Sequence, residues 1–193
     1  MPVARGTTVD PARTRAAIID AAADVLYQRG LDGVGTAELS ALAGVSKETL
    51  YRHFGSKDGL IEAVLLARGD RVIRWVHDAA SAAGGDPARQ LAAVFGALDR
   101  WHAEPGFRGD AIVSAAAQHY RDPPRSIAET HLVRLHELLT AIAERAGAVD
   151  PAALGWQLVM LAQGAAVVAG HCGAEAGRPA GLAALTLLSA SAR

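Results

Sequence analysis

Between Gly44 and Leu60 the chain reads Gly-Val-Ser-Lys-Glu-Thr-Leu-Tyr-Arg-His-Phe-Gly-Ser-Lys-Asp-Gly-Leu, and few folds accommodate that order of turn formers, caps and apolar residues. Gly44 supplies a tight bend after a helical run over 36–43, because glycine has no Cβ to oppose a left-handed backbone. Ser46 is placed to cap the next helix by accepting a backbone N–H, and Gly55-Ser56 ends that helix and caps another. Helix, short turn, short helix is the helix-turn-helix plan.

Spacing decides which side of the second helix faces inward. Val45, Leu50 and Phe54 recur at five and four residues, with Leu39 and Ala43 of the preceding helix as a matching apolar row. Lys47, Glu48, Thr49, Tyr51, Arg52 and His53 are then left to face outward. A helix about 10 Å long with polar tips fits the DNA major groove, roughly 12 Å wide, where its side chains reach base edges and phosphates.

Gly-Val-Ser-Lys-Glu-Thr-Leu-Tyr-Arg-His-Phe-Gly-Ser-Lys resembles the signature of the tetracycline-repressor-like (TetR) family of bacterial one-component regulators. The likeness extends upstream, where Arg15 to Gly30 is similar to the family's first helix and its closing glycine, and it covers about the first third of the chain. Gly106 to His119 is also similar to a segment of some members. The resemblance implies an all-α fold with a helix-turn-helix domain over 1–56 and a helical effector-binding and dimerisation domain over 57–193. It implies a repressor that binds a palindromic operator as a homodimer and is released by a small-molecule effector.

Composition agrees with the helical part of this expectation. Hydrophobic residues make up 51% of the 193 and aromatics only 5%, with abundant alanine, which favours closely packed helices over a β-sandwich. The amino terminus lacks the apolar stretch of a secretory signal, and the most apolar window, 158–172, is interrupted by Gln163 and shorter than the roughly 18 residues of a minimal span. A cytoplasmic protein is expected. One cysteine, Cys172, permits no intrachain disulfide and reads as a small buried side chain at a helix end.

Charge first argues against a nucleic-acid partner. The formal net charge is −1, and residues 1–60 balance Arg5, Arg13, Arg15, Arg29, Lys47, Arg52 and Lys57 against Asp10, Asp20, Asp24, Asp32, Glu38, Glu48 and Asp58. That neutrality supports one alternative, a dimeric helical small-molecule or protein-interaction module whose helix-turn-helix has lost DNA binding. Distribution outweighs the sum: the chain's two lysines, Lys47 and Lys57, bracket the outward-facing helix, while Arg5, Arg13 and Arg15 lie on the amino-terminal arm and first helix.

Nine helices are expected. The first opens at Asp10-Pro11 and carries Ile18, Ile19, Ala22, Val25 and Leu26 to Gly30; two more follow over 36–43 and 47–54. A long fourth runs from Ser56 through Leu60, Val64, Leu65, Val72, Trp75 and Val76 to the break at 83–87. Asp86-Pro87 opens a fifth with Leu91, Val94, Phe95, Leu98 and Trp101 on one face, stopped by Glu104-Pro105-Gly106. The remainder are 109–119, 125–146, 152–170 after the Asp150-Pro151 cap, and 181–191.

The last two helices are nearly free of charge, with no Asp, Glu, Lys or Arg between Pro151 and Gly173. Such surfaces must be covered, either as a core helix or as a four-helix dimer interface across a two-fold axis, and the family resemblance implies the second. Two recognition helices then meet half-sites one or more helical turns apart. By the same resemblance Thr36, Tyr51, His53 and Lys57 contact phosphates, while Lys47, Glu48, Thr49 and Arg52 are candidates for base edges or the neighbouring backbone. Two positions depart from the family pattern: Ala37 stands where many members carry a polar residue, and Ser40 where a small apolar one is usual.

The resemblance places the effector among the fourth to seventh helices, where Trp75, Trp101, His102, Phe107 and His119 are candidate lining residues, with Phe95 and Tyr120 nearby in sequence. No cofactor or metal is expected. His131 and His136 are five apart and diverge on a helix, so the i, i+4 metal pair is absent. There is no P-loop, no dinucleotide fingerprint after a strand and no Gly-x-Ser-x-Gly elbow, so the sequence reads as a non-enzyme.

Overall fold

The computed structural model describes residues 10–118, 122–173 and 175–191. Among these the chain forms nine α-helices and no strand: α1 (Pro11–Arg29), α2 (Thr36–Leu42), α3 (Lys47–Phe54), α4 (Lys57–Ala82), α5 (Pro87–His102), α6 (Ala111–Gln118), α7 (Pro124–Arg145), α8 (Pro151–Cys172) and α9 (Gly177–Ser191). They fall into two compact units, residues 1–67 and 68–193, with the division inside α4.

The Asp-Pro pairs start helices as their chemistry dictates. Asp10, Asp86 and Asp150 each accept a backbone N–H through Oδ1, from Ala12, Ala88 and Ala153 at 3.0 Å, and each following proline occupies the first turn, where its missing N–H has no partner to lose. In the first unit α1 packs on α2 and α2 on α3. Ile18, Ala22, Leu26, Val34, Leu39, Leu50 and Leu60 are among its buried apolar residues.

The core of the second unit is formed by Val76, Leu91, Val94, Phe95, Leu98, Leu135, Leu139, Ile142, Leu154, Leu158 and Leu188. Within it α7 packs on α8, α5 on α9, α8 on α9 and α6 on α7. Fully removing a leucine-sized side chain from water contributes about 1.5–3 kcal/mol, so this cluster is the unit's main stabilising element.

Several expectations are corrected. α9 begins at Gly177 rather than Gly181, because Pro179 falls in the first helical turn, where proline is compatible with the helix. Cys172 does end a helix but is exposed: the last buried position of α8 is Ala169, and the final turn carries His171 and Cys172 in solvent. α8 extends to 22 residues, and among the described residues it is the one helix long and apolar enough to cross a membrane by length and composition alone. Its Leu154, Leu158, Val159, Ala162 and Ala165 belong to the core cluster, which accounts for that apolar character.

Candidate nucleic-acid interface

The turn between α2 and α3 is built by local hydrogen bonds. Gly44 takes φ +65°, its N–H donates to the Ala41 carbonyl, and the Val45 N–H donates to the Ser40 carbonyl at 3.0 Å. Ser46 Oγ then accepts the Thr49 N–H at 3.1 Å and lies 3.0 Å from the Thr49 hydroxyl. Leu39 and Leu50, both buried, are the apolar residues this geometry brings inward from the two helices. The buried Ser40 hydroxyl donates to the Ala37 carbonyl at 2.9 Å, which explains how a polar group occupies a position suited to a small apolar one.

Of the three residues read as inward on α3, Leu50 alone is fully buried. Val45, in the turn ahead of the Ser46 cap, and Phe54, the last residue of the two-turn helix, are half-buried. The Phe54 ring is covered instead by the Arg15 guanidinium, 5.0 Å from its centroid. That contact holds a basic residue from α1 beside the end of α3, a cation–π arrangement contributing about 0.5–1 kcal/mol.

The outward face carries Lys47, Glu48, Tyr51 and Arg52 in solvent, Tyr51 being 45% exposed. Thr49 and His53 are half-buried, as are Thr36 at the start of α2 and Lys57 at the start of α4. Arg52 and Glu48 form an i, i+4 ion pair at 2.9 Å. With side chains 66% and 83% exposed it contributes little stability, and a stronger phosphate or base-edge partner can replace it. Arg13, Asp20, Asp24 and Asp32 are exposed; Arg5 and the rest of the arm lie outside the described residues.

The junction with α4 places Lys57. Gly55, at φ +74°, closes α3 with its N–H on the Tyr51 carbonyl at 2.7 Å, and Ser56 Oγ accepts the Gly59 N–H at 3.0 Å. Lys57 thus occupies the first turn of a 26-residue helix whose free N–H groups attract anions. The sequence reading missed Gly59: a Cβ there would stand 2.1 Å from the Phe54 carbonyl oxygen, so only glycine lets α4 start this close behind α3. Also missed was Arg29, which pairs with Glu38 and donates to the Gly33 carbonyl at 2.9 Å, joining α1 to α2.

In the second unit the candidate effector residues are partly brought together. Trp101 meets Trp75 at 6.1 Å and Phe107 at 5.2 Å between ring centroids, both edge-on, and His102 lies 4.8 Å from Phe107. Phe95 belongs to the core and is not among them; His119 and Tyr120 lie outside the described residues. Burial lowers the His102 pKa, outweighing the opposing pull of Asp99 and Asp110, and keeps the imidazole neutral near pH 7.

Asp110, Gln163 and His131 were not read from the sequence as a group that meets, although Asp110 before Ala-Ile-Val is a cap signal. Its Oδ1 accepts the Ile112 N–H at 2.9 Å and caps α6, while Oδ2 accepts from Gln163 Nε2 at 3.1 Å and lies 3.4 Å from His131 Nε2. Burial pushes this carboxyl up, but hydrogen bonds from His131, Gln163 and Ile112 together with the His131 charge outweigh it and hold the pKa below its ordinary value.

A capped turn between two helices packed through Leu39 and Leu50, with a polar outer face bracketed by lysines, defines a helix-turn-helix. Residues 18–64 match the family model described as bacterial regulatory proteins, tetR family. Over these residues the chain resembles the TetR family. It is 36% identical over 90 residues to the transcriptional activator FasR of Mycolicibacterium smegmatis, covering 47% of this chain and 41% of FasR. It is 37% identical over 67 residues to the transcriptional repressor Rv3405c of Mycobacterium tuberculosis, covering 35% and 36%. The matched segments thus span well under half of either relative. The fold is similar over nearly the whole length to SCO4454, a TetR-family transcriptional regulator from Streptomyces coelicolor, with a TM-score of 0.81, 28% identity and coverage of 94% of this chain and 97% of that one.

Proposed function

We propose that this protein is a one-component transcriptional repressor that binds an approximately palindromic operator as a homodimer and is released by a small-molecule effector. The observation that carries it is the α3 face: Lys47, Glu48, Tyr51 and Arg52 stand in solvent on a helix fixed by Leu50, with Lys57 behind it at a helix start. Tyr51, His53, Lys57 and Thr36 contact phosphates. Lys47, Glu48, Thr49 and Arg52 face bases or adjacent backbone, with the Thr49 methyl available to a thymine because its hydroxyl lies against Ser46. Rv3405c, named a repressor, supports the sign of regulation; FasR, named an activator, marks the other outcome.

Dimerisation uses α8 and α9. Trp156, Met160, Gly164 and Val167 recur at helical spacing on α8, and Met160 is 63% and Val167 55% exposed, with Leu182 of α9 at 61%. Adding a Cβ at Gly164 meets nothing, so this face permits close approach of a second helix. Residues 57–193 act as the effector-binding and dimerisation domain, with Trp75, Trp101, His102, Phe107 and His119 at the effector. α4 is continuous across both units and carries the response.

The test is fluorescence anisotropy on DNA from the protein's own upstream region against shuffled DNA at two salt concentrations. Salt-sensitive binding that prefers the upstream DNA is expected. In a Tyr51→Ala/Lys57→Ala variant the affinity falls, and the slope of log K against log salt shrinks by about 2, because two Lys57 phosphate contacts disappear from a dimer. Binding to neither DNA, with nothing recovered in a genome-wide DNA selection, would overturn the reading in favour of the interaction module.

A further inference from the structure

Arg15 is an exposed arginine of α1 that the first unit holds in place without an acidic partner. Its guanidinium carbon lies over the Phe54 ring, 5.0 Å from the centroid. Elsewhere in the unit Arg29 pairs with Glu38 and Arg52 with Glu48. Among the described residues no carboxylate pairs with Arg15. A cation over an aromatic face keeps its N–H donors uncommitted, because the attraction comes from the ring quadrupole rather than from hydrogen bonds. The guanidinium is thus positioned, charged and accessible to an anion.

Phe54 is a shared neighbour of the groups proposed above for phosphates. The His53 ring centroid is 6.2 Å from that of Phe54. Against the Phe54 carbonyl oxygen Gly59 brings the first turn of α4, the turn that opens with Lys57. Arg15 therefore joins the carboxyl-terminal end of α3, away from Lys47 and Glu48 at its start. A recognition helix in the major groove has the phosphate backbone along its flanks, where the helices that support it also make contact. The guanidinium fork matches phosphate oxygens bidentately, and one already held over a ring loses less freedom on engaging them than a free side chain.

We infer that Arg15 is a DNA phosphate contact and that Phe54 is the residue that positions it. This rests on the DNA-binding regulator proposed above and adds a residue of α1 to its interface. Arg13 supplies the contrast. It is exposed, carries the same charge on the same helix, and lies two residues earlier, about 200° round the helix axis. A general electrostatic effect would involve both arginines alike, whereas a contact involves Arg15 alone. If the Arg15–Phe54 pair only ties α1 to α3, its loss moves the melting temperature and leaves the salt dependence of binding untouched.

The experiment follows DNA anisotropy of the full chain across a salt series, on the DNA the parent prefers and on shuffled DNA. The proteins are the parent, Arg15→Ala, Arg13→Ala, Phe54→Leu and the Arg15→Ala/Phe54→Leu double variant. Arg15→Ala should weaken binding to both DNAs about tenfold and shrink the slope of log K against log salt by about 2, one contact from each protomer of a dimer. Arg13→Ala should keep the parent's slope. Phe54→Leu retains the charge but removes its platform, so it should weaken the parent by a larger factor than it weakens the Arg15→Ala protein. An unchanged slope in Arg15→Ala, an equal drop in Arg13→Ala, or strict additivity of Arg15→Ala with Phe54→Leu would each overturn the inference. The two readings fail separately. Salt-sensitive binding by the parent with an unchanged slope in Arg15→Ala removes only this contact, and a parent that binds no DNA, even from a genome-wide selection, removes the regulator and the contact with it.

Discussion

Gly155→Ala is an informative perturbation of the second unit because two opposing terms are both readable from the structure. Gly155 is buried on α8, and a Cβ there would stand 2.2 Å from Thr140 Oγ1 and 3.0 Å from the His136 ring, both on α7. Neither neighbour gives easily. Thr140 is β-branched and its hydroxyl lies 3.2 Å from His136 Nε2, which is 2.9 Å from the Ala152 carbonyl, while the His136 ring stacks on Trp156 at 4.2 Å. Overpacking costs about 1–3 kcal/mol, and a contact this short belongs at the upper end. Replacing glycine with alanine in a helix interior returns about 1 kcal/mol. The net expectation is a loss of about 1–2 kcal/mol, measured as a lower urea midpoint at unchanged m-value. Thr140→Ala removes the obstructing oxygen, so the double variant should recover at least about 1 kcal/mol relative to additivity. A Gly155→Ala protein as stable as its parent, or strict additivity with Thr140→Ala, would refute the reasoning.

Three further outcomes are expected. Ser46→Ala removes the acceptor of the Thr49 N–H and should cost about 1 kcal/mol of stability, with operator affinity falling as α3 frays; an unchanged melting temperature would count against the cap. His102 has a folded pKa below its ordinary 6.5, so the unfolded chain takes up the proton first, and stability that is full above pH 6.5 is lost as pH falls below it. His102→Gln should flatten that part of the pH–stability profile. Asp110, also lowered, adds stability above its ordinary 3.8 that is lost as pH falls through its folded value, so the His102→Gln profile should still bend at acid pH. Met160→Glu places a charge on the most exposed apolar position of α8 and should shift sedimentation from dimer to monomer while leaving circular dichroism unchanged.

The sequence by itself determined the local features whose chemistry is short-range. Asp-Pro at 10–11, 86–87 and 150–151 opened helices because an aspartate oxygen reaches an N–H two or three residues on, wherever the rest of the chain lies. Gly44, Ser46, Gly55 and Ser56 set the turn and the limits of α3 for the same reason, and the exposed face of Lys47, Glu48, Tyr51 and Arg52 followed from helical spacing. Tertiary structure decided the contacts between residues far apart in the chain. Arg15 covering Phe54, the Asp110 carboxylate shared among α6, α7 and α8, and the stacking of His136 on Trp156 depend on how helices pack, which no local pattern encodes. Packing also decided which apolar side of α8 is buried, with Leu158 inside and Met160 in solvent, since a helix apolar nearly all round carries no polar stripe to mark its outer face.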